Sequence, residues 1–141
     1  MQLSLLLSRL YKFLENHKKY FVYFPLGIYW VIIFALTSFP TNALPSFGIS
    51  DKIEHLLAYF VLSILLQLTL HFQNKYKFLK VKSGLYSFLI CSLYGILDEL
   101  HQYLIPGRYC DLLDMLANFI GITFGIILVN KFIKTFAVVK A

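Results

Sequence analysis

The sequence predicts an all-α fold: a polytopic membrane protein, a four-transmembrane-helix bundle with an amphipathic N-terminal helix. Three observations lead there. Of 141 residues, 59% are hydrophobic and only 14% charged, and the mean hydropathy is +0.70, outside the range of soluble globular domains. Four stretches supply the roughly 20 apolar residues that a helical span needs: Tyr20–Phe39, Lys52–Phe72, Ser83–Ile105 and Leu112–Asn130. Basic residues crowd alternate connections between them, as in polytopic proteins.

Each element has its own signal. In residues 1–19, Leu3, Leu6, Leu7, Leu10, Phe13 and Leu14 recur at helical spacing with Arg9, Lys12 and Lys19 between them. That is an amphipathic helix expected to lie on the inner membrane surface. It lacks the basic start and small-residue cleavage site of a signal peptide. The first span carries Tyr and Trp as interfacial anchors and closes into a loop broken by Pro40, Pro45 and Gly48. The second opens on Asp51, with Glu54 three residues on, the spacing of a capping box. The third ends at Pro106-Gly107, a tight turn. The fourth opens on Asp111 and Asp114 with similar cap-like spacing. It carries Gly121 and Gly125, which let transmembrane helices approach closely, here expected within the monomer. Residues 20–134 thus form one membrane domain, followed by a cytoplasmic tail, 135–141.

Charge placement sets the orientation. Arg9, Lys12, Lys18 and Lys19 precede the first span, Lys75, Lys77, Lys80 and Lys82 separate the second and third, and Lys131, Lys134 and Lys140 follow the fourth. The other connections hold only Lys52 and Arg108. Both termini are therefore expected in the cytoplasm, with the lysine-rich loop near anionic headgroups. The net charge of +6 does not signal nucleic acid, because aromatic platforms beside the lysines are missing. Cys91 and Cys110 are expected about 28 Å apart along the third span, too far for a disulfide, and neither has a second thiol for a metal site.

Six of the seven acidic residues fall at or near the outer ends of three spans. Asp51 and Asp111 are explained in part by helix capping. Asp98 and Glu99 are not: they are expected about two turns inside the third span, near a helix C-terminus whose dipole opposes them. A carboxylate at that depth costs at least ~2.5 kcal/mol, so partners or a function must hold it. His101 and Gln102 share a face with Asp98. His55 stands one turn after Asp51, with Tyr59 a turn further. Arg108 is aimed back over the helix ends as a fork for Asp98, Asp114 or an anionic ligand, and Asn118 follows Asp114 by a turn. His17 and His71 fall at the opposite side.

"DKIEHLLAYFVL" followed by "DELHQYLIPGRYCDLLDMLANFIG" resembles the VanZ-like membrane proteins in ordered combination: Asp51, Lys52, His55, Tyr59, Asp98, Glu99, Gln102, Pro106, Gly107, Arg108, Asp114, Asn118 and Gly121. His101 falls at a variable position of that pattern. The resemblance covers about residues 37–130. It implies a bacterial cytoplasmic-membrane protein acting at the cell envelope, in a family named for a protein associated with low-level teicoplanin resistance.

Three classes of function stay open on the residues alone. The first is an intramembrane hydrolase or transferase of the outer face, acting on a lipid-linked or cell-wall precursor. Its catalytic set would be Asp98, Glu99, His55 and Asp114, and its substrate-binding set Arg108, Asp51, Lys52, Tyr59, Gln102 and Asn118. The second is a non-catalytic membrane module that binds envelope components or antibiotic. The third is a small proton-coupled carrier. No cofactor follows from the sequence. The histidines and carboxylates are donor types for a divalent metal, but HExxH-type spacing is missing. Oligomeric state is likewise open.

Overall fold

A computed structural model describes the backbone of residues 2–40 and 50–140, and the side chains of 4–40 and 50–136. Its helices run in the order α1 (Gln2–Asn16), a π-helical turn (Lys19–Tyr23), α2 (Phe24–Ser38), α3 (Asp51–Phe72), α4 (Lys77–Val81), α5 (Ser83–Gln102) and α6 (Leu112–Lys140). There is no strand among the described residues. Pro45 and Gly48 of the expected outer loop lie outside them. Phe39 is extended (φ −91°, ψ 143°), as a residue before proline prefers, which ends α2 ahead of Pro40.

Among the described residues, three helices are long and apolar enough to cross a membrane: Lys19–Ser38, Asp51–Phe72 and Leu112–Phe136. The fourth expected span is not in that set. Helix α5 has 20 residues, but its last turns hold Asp98, Glu99, His101 and Gln102, and serines and tyrosines are scattered before them. It also stops at Gln102, short of the expected Ile105. From Tyr103 the chain turns, with Leu104 and Ile105 amides donating to His101 and Gln102 carbonyls at 3.0 and 2.9 Å, and Gly107 adopts φ +79°. Asp98 is therefore about one turn, not two, from the helix end.

Helix α3 is the centre of the bundle and packs most extensively on α6. The glycine pair explains why. A Cβ at Gly121 would strike the Leu56 carbonyl oxygen and come within 3.0 Å of the Phe60 nitrogen. One at Gly125 would strike Ser63 Oγ and lie 2.7 Å from the Phe60 carbonyl oxygen. The small-residue spacing thus closes the monomer, as expected. Tyr59, Leu62, Leu66, Cys91 and Ile122 fill the space between helices. Phe24, Val31, Phe34, Leu93, Leu116 and Phe124 stay exposed on the outside, an apolar periphery suited to hydrocarbon.

The margins of the bundle pack more closely than their sequence signals indicate. Helix α1 is amphipathic but does not merely lie beside the bundle. Tyr11 is buried, donates or accepts at 2.8 Å with His71 Nε2 and stacks on Phe136 at 3.7 Å. Lys18 donates to the Phe72 carbonyl at 2.8 Å. Tyr29 and Trp30 are not only interfacial anchors: the Tyr29 hydroxyl donates to the Ala58 carbonyl at 3.1 Å, and Trp30 meets Tyr94 edge-on at 5.3 Å. Residues 135–140, expected as a tail, continue α6.

Candidate functional site

At one end of the bundle α2 ends, α3 begins, α5 ends and α6 begins, so a single layer collects the polar termini of four helices. Asp98, Glu99, Gln102, Asp114, Asn118 and His55 are all buried there. Among helices that bury mostly apolar side chains, such groups must pair with one another.

The pairing is specific. Tyr59 Oη donates to Asp98 Oδ2 at 3.1 Å. His55 Nδ1 lies 3.2 Å from Asn118 Oδ1 and 3.5 Å from Glu99 Oε1. The Asp111 amide donates to Glu99 Oε2 at 3.2 Å, while Oε1 of the same carboxylate has no hydrogen bond. Glu99 is only 1% exposed, so that oxygen is a buried acceptor facing an imidazole at ion-pair distance. Lys52 Nζ donates to Asp111 Oδ2 at 2.7 Å and to Asp114 Oδ1 at 3.0 Å, tying α3 to the start of α6.

Two sequence expectations fail in detail. The Asp51–Glu54 capping box does not form: Ser50 is the N-cap, without a side-chain cap, and Asp51 is already helical. It sits instead 3.8 Å from His55 Nε2. Arg108 pairs with neither Asp98 nor Asp114. Its Nη1 donates to Gln102 Oε1 at 2.8 Å, and its Nε and Nη2 donate to the carbonyls of Phe39 and Leu36, each at 3.1 Å. Arginine reaches these because α2 ends beside it and leaves carbonyls without helical partners. Asp111, by contrast, caps α6 as expected, accepting from the Leu113 amide at 2.8 Å.

Lys52, and after it the Leu113 amide, hold the Asp111 carboxyl below the usual carboxylate range. A lowered folded-state pKa contributes stability above the unfolded value, about 4, which is lost as pH falls through the lowered value. The thermal midpoint is thus expected to drop on acidification below about pH 4, and to drop less in Asp111→Asn. Identical acid profiles would show that this pair does not stabilise the fold. The pair is exposed, so the difference should be small.

A pocket of about 150 Å³ opens beside this network. Ile33, Leu36 and Ala58 give it an apolar wall, and Asp51, Glu54, His55, Tyr59, Asp98 and Arg108 its polar side, with Thr37 between. Glu99, Gln102, Asp114 and Asn118 are not in its lining but stand behind it, around His55 and Arg108. His101 is apart, stacked on Phe34 at 5.3 Å and within 3.1 Å of Ser38 Oγ. Thr37 was not singled out by sequence, because a threonine in an apolar helix gives no charge signal; Glu54 was counted among the acidic residues at the outer helix ends but read as part of a cap. A second polar layer, away from the pocket, was also missed: Gln67 Nε2 donates to Asn130 Oδ1 at 2.7 Å, and Ser87 Oγ to the Ser63 carbonyl at 3.2 Å. Both free cysteines differ in access, Cys91 buried and Cys110 exposed.

A family model described as VanZ/LLP1 matches residues 3–134. No curated protein and no solved structure matches the chain.

Proposed function

The chain belongs to the VanZ/LLP1 family, and from that membership and its buried carboxylate network we propose an acid–base hydrolase or transferase working at the outer face of a bacterial cytoplasmic membrane. In this reading α5 is the fourth span. Both termini and the lysine-rich connection lie in the cytoplasm, by the charge asymmetry of the connections. The substrate is a lipid-linked or cell-wall precursor, which brings an apolar chain and an anionic head together at headgroup level. Altered handling of such a precursor accounts for a link to teicoplanin sensitivity.

One observation carries the proposal: carboxylates from α3, α5 and α6 meet an imidazole beside one pocket that is both apolar and charged. Asp98 lines the pocket and takes the proton of the attacking water or hydroxyl. Asp98 then returns that proton to the departing oxygen, so this oxygen gains the hydrogen that the attacking oxygen loses, and His55 lines the pocket beside it. Glu99 and Asn118 orient His55 from behind. Arg108 spends three of its five N–H groups on Gln102 and α2 carbonyls. Two are left for an anionic oxygen of the substrate. Tyr59 fixes Asp98, and Lys52 holds Asp114 and Asp111 in place.

The non-catalytic module is the competing reading, favoured by the hydrogen bonds that Tyr59, Lys52 and the Asp111 amide give to Asp98, Asp111, Asp114 and one Glu99 oxygen. Replacing Asp98 by asparagine separates the two, since packing tolerates an amide and proton transfer does not.

A further inference from the structure

We propose that Asp51, His55 and Asp114 bind one divalent transition-metal ion of the zinc or manganese class at the edge of the pocket. Each residue offers one donor atom, and the three lie within 4.8 Å of one another. Asp51 and His55 stand one turn apart on α3, a spacing that places two donors on the same helix face. Asp114 comes from α6, held against α3 by the Gly121–Gly125 contact. Ligand bonds of about 2.0–2.2 Å put donor atoms some 3–3.5 Å apart. Asp51 Oδ1 is 3.8 Å from His55 Nε2, and its side chain is 58% exposed. A small swing of that one carboxylate brings it within ligand spacing of His55 Nε2.

The state of His55 provides a separate argument. Its Nδ1 faces two acceptors, Asn118 Oδ1 at 3.2 Å and Glu99 Oε1 at 3.5 Å, so Nδ1 carries a hydrogen. In the neutral ring Nε2 then presents a lone pair toward Asp51, which has no proton to give. A cation between them satisfies both. Glu99 Oε1 is buried and makes no hydrogen bond, yet it aims at the back of this ring. A carboxylate behind a histidine is the arrangement that orients and strengthens a metal-bound imidazole.

The charge count agrees. Six carboxylates face Lys52 and Arg108 at this end of the bundle, a formal excess of four negative charges with neutral histidines. Lys52 satisfies Asp111 and one Asp114 oxygen, leaving Asp51 without an ammonium partner among the described residues. An imidazole with two carboxylates suits zinc or manganese better than calcium or magnesium, which take oxygen. The remaining coordination positions are left to water or a substrate oxygen.

The site is tested on the detergent-purified full chain, stripped with chelator and titrated with Zn²⁺ or Mn²⁺ alone. One equivalent is expected to bind and raise the thermal midpoint. Asp51→Asn, at an exposed position, should weaken binding at least tenfold and leave the metal-free midpoint unchanged. His55→Gln should abolish binding; if it fails to fold, Asp51→Asn decides. No saturable binding, or binding that Asp51→Asn does not weaken, overturns the site. Binding is read without turnover, so failure here leaves the acid–base proposal standing.

Discussion

Asp98→Asn is expected to lower activity by roughly 10²–10⁴-fold, the usual share of a general acid or base, in a chain that still folds. The fold should survive because an asparagine oxygen can still accept from Tyr59 Oη, now at 3.1 Å from Asp98, and a neutral amide is cheaper to bury than a carboxylate. Glu99→Gln is a harsher change. Its oxygen can replace Oε2 at the Asp111 amide, but its NH₂ then faces the Nδ1 hydrogen of His55, donor against donor. About 1–3 kcal/mol of stability should go with that clash, and activity with it. Thermal midpoint and teicoplanin sensitivity measured on the same variants separate the two losses. Full activity in a folded Asp98→Asn, Glu99→Gln double variant would falsify the proton-transfer role and leave the binding module.

Gly121→Leu and Gly125→Leu should each remove most of the folded protein. The nearest atoms to a Cβ at Gly121 are backbone atoms of Leu56 and Phe60, which cannot rotate away. Even alanine must push α6 off α3, at the upper end of the ~1–3 kcal/mol that overpacking costs, and leucine beyond it. The same push carries Asp114 and Asn118 away from Lys52 and His55, so site and fold should fail together. Gly27 is the control: nothing lies within 4 Å of its added Cβ, so Gly27→Ala in α2 should be neutral or stabilising by up to about 1 kcal/mol. A midpoint unchanged in Gly121→Ala would remove the glycine contact from the account of how the site is assembled.

Much of this site was legible in the sequence because charge is rare in apolar helices and therefore conspicuous. Asp98, Glu99, His55 and Asp114 stood out for that reason, and their shared end of the bundle followed from counting spans. The apolar stretches located the helices, and the small-residue spacing located the closest contact. Partners were not legible. Arg108 was expected on Asp98, Asp114 or an anionic ligand, yet the end of α2 offers it carbonyls and Gln102 offers it an amide oxygen, none of which carries a charge to read. The end of α5 was set too late because Tyr103, Leu104 and Ile105 continue the apolar pattern while hydrogen bonding turns the backbone. Hydroxyl and amide contacts such as Thr37, Ser63–Ser87 and Gln67–Asn130 were invisible for the same reason: uncharged polar residues occur in helices of every kind. The short helix α4 and the π-helical turn before α2 both touch α3, a tertiary contact that no local pattern encodes.

The substrate class depends on which side of the membrane this layer faces, and the chain carries its own reporter. Cys110 is exposed and next to Asp111, while Cys91 is buried between helices. A membrane-impermeant maleimide added to intact cells should label the wild-type chain at Cys110 alone, and Cys110→Ser should abolish the signal. Labelling of Cys110 only after the cells are permeabilised would put the carboxylates in the cytoplasm and contradict an outer-face reaction.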